Sequence, residues 1–237
     1  MNKTKIQWTE MTWNPITGCT KISDGCVNCY AARMAKRLKA MGNPRYTNEF
    51  AVTVHEDLLE VPLRIKQPKM IFVNSMSDLF HEDVPDDIII KIFETMNKAH
   101  WHTFQVLTKR PKRLHAMDDL GLLRWSPNIW MGVTVESDKY IDRINELRNT
   151  KANIKFLSCE PLLGSLKSID IENIDWVIVG GESGPKSREM KKEWVMEIKE
   201  LCEEKGVAFF FKQWGGTNKK KSGRLLDGKT YDYYPTQ

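Results

Sequence analysis

The sequence lacks several features that would assign it to particular classes of protein. It has no apolar run long enough to cross a bilayer, and its first residues do not resemble a signal peptide. Its 5 cysteines are an odd number, which does not suit a framework of paired disulfides. It has neither an internal repeat nor a linker, so we expect one domain over residues 1–237. Together these absences predict a protein of a reducing, cytoplasmic compartment.

Charge of either sign is not in large excess. The chain has 36 Lys and Arg residues against 31 Asp and Glu residues, a formal net charge of +5. For any one basic group a solvated surface is the simplest explanation, so charge alone does not establish nucleic-acid binding. Fourteen of the basic residues fall into three groups: Arg33, Lys36, Arg37, Lys39 and Arg45; Lys109, Arg110, Lys112 and Arg113; and Lys219, Lys220, Lys221, Arg224 and Lys229.

Three of the cysteines lie close together, in a segment that we call the cysteine loop (residues 18–32). Cys19, Cys26 and Cys29 are separated by six and then two residues, and Gly18 and Gly25 each precede a cysteine. Three thiolates on a loop can hold a metal or cluster and leave one coordination position open. The remaining two differ: Cys202 is predicted to be core, and Cys159 to be core or a neighbour of the site.

Short apolar strands alternate with amphipathic helices along the chain. This alternation predicts an α/β fold with a parallel sheet, and specifically a partial (β/α) barrel. The predicted strands are 12–18, 69–75, 103–108, 129–135, 154–159, 176–180 and 207–212. The predicted helices cover 30–41, 55–66, a segment from 86, 112–119, a segment capped by Ser137, and 191–205.

Each strand after the first runs from apolar residues into a polar or charged cluster. In a β/α barrel these carboxyl ends converge on one face, where active sites are built, and the cysteine loop opens onto the same face. The clusters are Ser75-Met76-Ser77-Asp78, Thr108-Lys109-Arg110, Thr134-Val135-Glu136, Ser158-Cys159-Glu160, Gly180-Gly181-Glu182-Ser183 and Lys212-Gln213-Trp214.

The cysteine loop after the first strand, together with the partial barrel, resembles the radical S-adenosylmethionine (radical SAM) superfamily. Over nearly its full length the chain also resembles a bacterial and phage family known for a three-cysteine motif. The stretches that carry this resemblance are TWNPITGC, GCVNCYA, FVNSMSDLF, LTKRP, SCEPLLG, VIVGGESG, FFFKQWGG and GRLLDG.

The resemblance implies that Cys19, Cys26 and Cys29 hold a [4Fe–4S] cluster whose fourth iron binds S-adenosyl-L-methionine. An electron from the reduced cluster would then cleave the cofactor to methionine and a 5′-deoxyadenosyl radical, which abstracts a substrate hydrogen. An electron-donor protein, such as a flavodoxin or ferredoxin, is the implied partner. The spacing here is C-x6-C-x2-C, whereas the superfamily's usual spacing is C-x3-C-x2-C.

The superfamily's Gly-Gly-Glu motif at the second strand is replaced here by Ser75-Met76-Ser77-Asp78, which moves the expected cofactor contacts. Ser75, Ser77 and Asp78 are expected to accept hydrogen bonds from the methionine amine, and Lys109 or Arg110 to hold its carboxylate. For each residue a helix cap or a barrel-mouth ion pair is the alternative. Gly180, Gly181 and Glu182 complete the candidate cofactor contacts, and Glu136, Glu160 and Lys212 are the candidate catalytic residues.

Three hypotheses for partner and class remain open. An unpaired nucleic acid base or nucleotide is one substrate, because basic residues and aromatic residues flank the predicted mouth. A zinc-binding nucleic-acid module, with His55 or His81 as fourth ligand, is one alternative class. A barrel hydrolase or lyase with structural cysteines is another. The aromatic residues are Trp101, Trp125, Trp214, Tyr231 and Tyr233, and the residues after Trp214 are a candidate lid.

Overall fold

The computed structural model of the chain describes residues 1–236. Residue 237 and the side chains of Asn2, Lys219 and Lys220 lie outside that description, so two members of the third basic group cannot be placed. The strands are β1 (Asn2–Lys3), β2 (Met11–Trp13), β3 (Ile16–Thr17), β4 (Thr53–Val54), β5 (Met70–Val73), β6 (Thr103–Thr108), β7 (Ile129–Thr134), β8 (Ile154–Cys159), β9 (Trp176–Gly180) and β10 (Ala208–Gln213). The α-helices are α1 (Tyr30–Ala40), α2 (Asp86–Lys98), α3 (Pro111–Asp119), α4 (Asp142–Arg148), α5 (Lys192–Lys205) and α6 (Lys219–Ser222).

One large sheet organises the chain, with the strand order β1-β2-β5-β6-β7-β8-β9-β10. Neighbouring strands from β2 to β10 pair in parallel, while β1 pairs antiparallel with β2 at one edge. The sheet curls into a half-barrel, and this confirms the predicted partial parallel (β/α) barrel. Parallel strands need crossover connections, and the amphipathic helices supply several of them.

The two faces of the sheet are filled in different ways. On the helix-covered face, Ile129, Met131 and Val133 of β7 join the main core. On the concave face, Trp130 belongs to a second cluster, as the alternation of side chains along a strand requires. Gly132 follows on that face, where a Cβ would lie 2.4 Å from the Phe156 ring. The members of the concave cluster are Trp8, Trp130, Phe156, Trp176, Ile178 and Phe210.

The first predicted strand, 12–18, is divided in the structure. Pro15 interrupts it between β2 and β3, because proline has no N–H to give to the ladder. Beyond the proline, β3 leaves the large sheet and pairs antiparallel with β4. The Pro15 carbonyl accepts a hydrogen bond from the His55 amide at 2.8 Å, which fixes the departing chain.

The predicted helix over 55–66 was wrong. The segment forms two short 3-10 turns, Glu56–Leu58 and Val61–Arg64, and Pro62 in the second turn disfavours a continuous helix. The segment after Ser137 likewise begins with a 3-10 turn, Asp138–Tyr140, before α4. The other predicted helices are present to within one or two residues.

Part of the segment after Trp214, which the sequence predicted as a lid, lies beside β10 and not over the mouth. Near the end of the chain this segment runs antiparallel to β10: the Phe211 amide donates to the Tyr231 carbonyl, and Phe210 bridges Asp232. The Trp176 indole donates to the Tyr233 carbonyl at 2.8 Å. This part of the tail therefore covers the outer edge of the sheet.

Two of the aromatic residues proposed to flank the mouth lie elsewhere. Trp101 precedes β6 and Trp125 precedes β7, so both lie at the amino ends of the strands, opposite the mouth. Their indole nitrogens donate to the Ile65 carbonyl and to Asp118, respectively. Both are therefore parts of the core, and neither is placed to stack on a base.

Cys159 and Cys202 are buried, as the sequence predicted for a core role. Burial raises the pKa of Cys159 far above the ordinary thiol value and that of Cys202 to about 12. Across residues 1–236, every helix is too short or too polar to span a membrane.

Candidate functional site

The cysteine loop follows β3 in the chain, and its first residue, Gly18, lies beside the segment that follows β5. The Gly18 amide donates to the Met76 carbonyl at 2.9 Å, and Gly18 forms a bridge with Ser77. Gly18 has a φ of +92°, and a Cβ on it would lie 2.1 Å from the Ala51 carbonyl oxygen. Only glycine fits this position, because both the backbone conformation and the space exclude a side chain.

Asp78 provides the first anchor of the loop, acting through Arg110. The Asp78 carboxylate accepts from Arg110 Nη1 at 3.2 Å. The same Nη1 lies 3.5 Å from Cys19 Sγ, and Arg110 Nη2 donates to the hydroxyl and the carbonyl of Thr20. Arg110 Nε donates to the Glu82 carboxylate, so each nitrogen of the guanidinium has a partner.

These contacts show that Asp78 and Arg110 support the cysteine loop, while their predicted contacts with the cofactor stay a prediction. Asp78 also accepts from the Thr108 hydroxyl at 2.6 Å and from the amides of Phe80 and Lys109. It is buried with its lone pairs occupied, so it would have to give up a partner to receive a ligand amine. The two predicted serines are also engaged: their hydroxyls donate to Asn14 and to the Ile16 carbonyl, although their oxygens can still accept.

Glu136 provides the second anchor. It is fully buried at the end of β7, and its Oε1 accepts from the Ser23 hydroxyl at 2.5 Å. Its other oxygen accepts from Arg143 at 2.8 Å, and Lys109 Nζ lies 3.9 Å from Oε1. A Cβ on Gly25 would lie 2.4 Å from Oε1, so the loop packs directly on this carboxylate.

Glu182 provides the third anchor. Its Oε2 accepts from Asn28 at 2.9 Å and from Arg188, and Arg188 also donates to the Asp24 carbonyl of the loop. Burial raises the pKa of Glu182, but the hydrogen bonds from Arg188 and Asn28 outweigh it and lower the pKa to about 2. Glu182 is therefore a charged tether between β9 and the loop.

The three anchors follow β5, β7 and β9, which are alternate strands of the sheet. The sequence placed Asp78, Glu136 and Glu182 at the mouth of the barrel, and the structure brings all three there. Each carboxylate holds the cysteine loop, either directly or through an arginine. In this structure all three carboxylates form ion pairs at the mouth of the barrel, which is the alternative role that the sequence analysis considered.

The three thiols of the loop are all free and partly exposed. Burial and the nearby Asp78 charge raise the pKa of Cys19 to about 11, against the opposing effect of Arg110. Burial also raises the pKa of Cys26, but hydrogen bonds from Ser23 and the backbone and the charge of Lys109 outweigh it, so the net pKa is lowered. The loop therefore offers thiols beside two cationic side chains, which suits a negatively charged metal–thiolate group.

No three His, Cys, Asp or Glu side chains within residues 1–236 converge closely enough to hold a single metal ion. His55 Nε2 lies 2.9 Å from the Thr17 hydroxyl, and His81 Nε2 lies 2.8 Å from the Thr20 hydroxyl. Either histidine would have to give up its threonine hydroxyl at that nitrogen to become a fourth zinc ligand. A [4Fe–4S] cluster makes a different demand, because each thiolate binds a separate iron, and the donor set of the loop fits it.

A second polar group lies on the concave face of the half-barrel. Glu160 Oε1 forms an ion pair with Lys212 Nζ at 2.8 Å, and Glu160 Oε2 lies 3.2 Å from both the Trp8 indole nitrogen and the Ser158 hydroxyl. A Cβ on Gly180 would lie 2.6 Å from Glu160 Oε1, so glycine leaves room for this carboxylate. The predicted catalytic residues Glu160 and Lys212 are thus together, whereas Glu136 is part of the loop anchor.

Buried polar atoms without partners lie near the carboxyl ends of β7 and β5. Thr134 is paired in register with Ser158, and its hydroxyl has no hydrogen-bond partner in the described structure. Both side-chain polar atoms of Asn74, the residue that follows β5, are buried and unpartnered in the same sense. Unpaired buried polar groups are costly, so they mark places where water or a ligand is expected to bind.

Gly181 serves a packing role in this structure. A Cβ on it would lie 2.0 Å from the Trp214 carbonyl oxygen, so the neighbouring strand end approaches its backbone closely. The sequence interpretation had grouped it with Gly180 and Glu182 as a cofactor contact. In this structure Gly181 allows close packing, Gly180 leaves space for Glu160 and Glu182 anchors the loop, while their role as cofactor contacts stays a prediction.

A family model described as "Protein of unknown function (DUF5131)" matches residues 3–235. The chain belongs to this family. A search of curated proteins found no match for the DUF5131 chain.

Among solved structures, the chain is similar to one described as spore photoproduct lyase complexed with dinucleoside spore photoproduct. The TM-score is 0.49 at 12% identity, and the match covers 84% of the DUF5131 chain and 62% of the other chain. The chain therefore spans less than two thirds of that protein's length. The fold of the DUF5131 chain is assigned from the order and pairing of its own strands.

Several residues of the site were not singled out from the sequence. Ser23 and Asn28 could have been noticed as polar residues between the cysteines. Arg143 and Arg188 carry no local signal, because each lies outside the cluster that it completes and meets it only in the folded chain. Trp8 was also not singled out, although its indole nitrogen lies 3.2 Å from Glu160 in the concave polar group.

Proposed function

We propose that the DUF5131 chain is a radical SAM-type iron-sulfur enzyme. The observation that carries this proposal is a single loop with three free cysteines, tied to the ends of alternate strands over the carboxyl edge of a curled parallel sheet. Cys19, Cys26 and Cys29 would hold a [4Fe–4S] cluster with one iron open to S-adenosyl-L-methionine. When bound, these groups supply a reductive cleavage that initiates radical chemistry.

The chain's own residues would orient and shield the reacting groups. The three anchors fix the backbone of the cysteine loop, so that the thiols are held before any cofactor binds. Arg110 and Lys109 provide positive charge next to Cys19 and Cys26. Asn74, Thr134, Glu160 and Lys212 offer donors and acceptors on the concave face, where the bound cofactor and substrate would be oriented.

We also propose a nucleic acid base or nucleotide as the substrate, taken as a small unit and not as a long strand. Donors and acceptors on the concave face support recognition of a polar base. The surface gives less support to binding of a long single strand. Arg110 and Arg113 are occupied by intramolecular partners, and Trp101 and Trp125 lie at the other end of the barrel.

The proposal is tested by purifying and reconstituting the protein without oxygen. Iron and sulfide should be bound in near-equal amounts, and addition of S-adenosyl-L-methionine with a strong reductant should release 5′-deoxyadenosine. Zinc without iron or sulfide would instead identify the binding module. Activity that survives chelation and exposure to air would identify a hydrolase or lyase with structural cysteines. Titration with mononucleotides and with single-stranded DNA or RNA then tests the substrate class.

A further inference from the structure

The outer side of the cysteine loop carries an unusual group of exposed apolar side chains. Ile22 is 42% exposed, Val27 56% and Tyr30 59%. These three fall within nine residues of one another, on the segment that carries all three loop cysteines. Large apolar side chains exposed this close together along the chain are a candidate interaction site.

A surface groove of about 300 Å³ lies beside the patch. The loop and the beginning of α1 form one wall, and the segment after Glu182 forms the other. Cys29 lines this groove, so a proposed cluster ligand is reached from the outer surface. The other lining residues that matter here are Lys21, Val27, Arg33, Pro185 and Lys186.

The groove has a fixed shape, because contacts between its walls hold them together. Arg33 Nη2 donates to the Ser183 carbonyl at 2.9 Å, and Asn28 donates to the Lys186 carbonyl at 3.0 Å. Asn28 also binds Glu182, which joins the groove to the third anchor. A preformed surface costs less to order when a partner binds than a mobile one does.

The rim of the groove is strongly basic. Residues 18–46 contain six basic side chains and a single acidic one, Asp24. Asp24 is itself paired with Lys139 at 3.1 Å. Lys39 and Arg45 are paired with Glu49 and Asp57, so the basic residues left on this segment are Lys21, Arg33, Lys36 and Arg37. Lys36 and Arg37 are exposed on α1, and the exposed Lys186 lines the groove with Val27, so the surface favours a negatively charged partner.

We infer that this surface, defined by Ile22, Val27, Tyr30, Lys36 and Lys186, is the docking site of a small acidic electron-donor protein. The inference rests on the proposed function and adds where its reductant binds. An apolar centre with a charged rim is typical of protein–protein interfaces, whereas nucleic-acid interfaces are more polar. In the exchange, one electron leaves the partner, which is oxidised, and enters the group held by the cysteines, which is reduced.

Complementary charge predicts fast, salt-sensitive association rather than a very stable complex. The apolar centre should contribute a part of the affinity that salt does not screen. Changes to the rim and to the centre are therefore expected to weaken binding in distinguishable ways. Reversal of rim charges should reduce the salt dependence, and a charge in the apolar centre should weaken binding at every salt concentration.

The test measures the affinity of the reconstituted full-length protein for purified flavodoxin, by interferometry at low and at physiological salt. Val27→Asp and the double variant Lys36→Glu/Lys186→Glu should each weaken binding roughly tenfold or more. Leu120→Asp is the control for an exposed apolar residue, being 74% exposed after α3 at the opposite end of the barrel. Lys98→Glu/Lys205→Glu is the control with the same change of net charge. Both controls should stay within about twofold of wild type, and all variants should bind iron and sulfide as wild type does.

Equal flavodoxin affinity in the patch variants and the controls would overturn the inference. So would a wild-type protein that holds its cluster yet shows no salt-sensitive binding of flavodoxin. The same variants are titrated with oligo(dT). If the patch variants lose oligo(dT) binding while their affinity for flavodoxin is unchanged, the surface is a nucleic-acid site and the donor protein is rejected. If wild-type protein takes up neither iron nor sulfide, the proposed function itself fails and the inference fails with it; the iron content separates this outcome from the others.

Discussion

Asp78 and Arg110 form a buried ion pair at 3.2 Å, and the same guanidinium nitrogen lies 3.5 Å from Cys19 Sγ. Asp78, which follows β5, therefore positions Arg110, which follows β6, and Arg110 in turn contacts Cys19. This relationship makes Asp78 primarily a support of the cysteine loop.

Replacing Asp78 by Ala should lower the free energy of unfolding by about 3 kcal/mol, because the buried Arg110 would lose one of its two carboxylate partners and keep only the exposed Glu82. The Thr108 hydroxyl and two amides would lose their acceptor as well. Urea denaturation measures the loss. Asp83→Ala, an exposed change nearby, should cost no more than about 0.5 kcal/mol. An Asp78→Ala protein as stable as wild type, with only cofactor binding impaired, would restore the role suggested by the sequence.

Each of Cys19, Cys26 and Cys29 should be required for iron and sulfide uptake. Replacing any one by Ala should abolish the brown colour of the reconstituted protein, since three thiolates are needed to leave a single open iron. Cys202→Ala is the matched control, because that thiol is buried in the core away from the loop. A cluster that persists in Cys19→Ala would contradict the assignment of the cysteine separated by six residues.

Gly25→Ala should displace the cysteine loop, because the new Cβ would lie 2.4 Å from Glu136 Oε1. We expect lower iron retention and a loss of stability of about 1–3 kcal/mol. Gly164→Ala is the control, since a Cβ there would meet only the Ser137 Cβ at 3.3 Å. Iron content and thermal unfolding, measured side by side, decide the matter. Wild-type behaviour of both variants would mean that the loop does not pack on Glu136.

Thr134→Val separates binding from stability. The Thr134 hydroxyl is buried without a partner in the described structure, so its loss should leave stability unchanged or raise it by up to about 1 kcal/mol. If the hydroxyl contacts the cofactor or the substrate, calorimetric affinity for one of them should fall. Thr108→Val provides the contrast, because its hydroxyl donates to Asp78 at 2.6 Å and its loss should cost about 1–3 kcal/mol. Clear destabilisation by Thr134→Val would reveal an intramolecular partner instead.

Glu182 predicts a pH dependence of stability. Its pKa is about 2 in the folded chain against an ordinary value of 4.5. A lowered carboxyl pKa stabilises the fold fully above the ordinary value, and this contribution is lost as the pH falls from about 4.5 towards 2. Glu182→Gln should therefore cost about 2–3 kcal/mol at pH 7 and about half as much at pH 3. A cost that does not change between these two pH values would show that Glu182 is not a charged tether.

The strands of the sheet were predictable because they are short apolar runs with few internal interruptions. The division of the first strand depends on Pro15, which removes one ladder donor within an otherwise good pattern. The segment 55–66 has helical spacing of apolar residues, but Pro62 and the buried His55 favour short turns. Local patterns therefore predict most of the strands and helices, whereas single residues such as Pro15 and Pro62 determine where the prediction fails.

The type and position of the site residues were also predictable, but their partners were not. Parallel strands bring their carboxyl ends together, so Asp78, Glu136 and Glu182 were expected at one mouth. Which atom each one binds depends on contacts across long stretches of chain, such as Ser23 with Glu136, 113 residues apart. A list of polar strand ends does not distinguish a carboxylate that holds a loop from one that faces a ligand.

The tail beside β10 has a consequence for the behaviour of the protein in solution. β10 is the last strand of the sheet and contains three consecutive phenylalanines, Phe209 to Phe211. Without the hydrogen bonds from the Phe211 amide to Tyr231 and from the Tyr233 amide to Phe209, that strand would present an apolar, unpaired edge. Such an edge is a template for aggregation. The tail therefore protects the edge of β10 from self-association. Removing the residues from Tyr231 onwards should yield insoluble protein rather than a more accessible barrel.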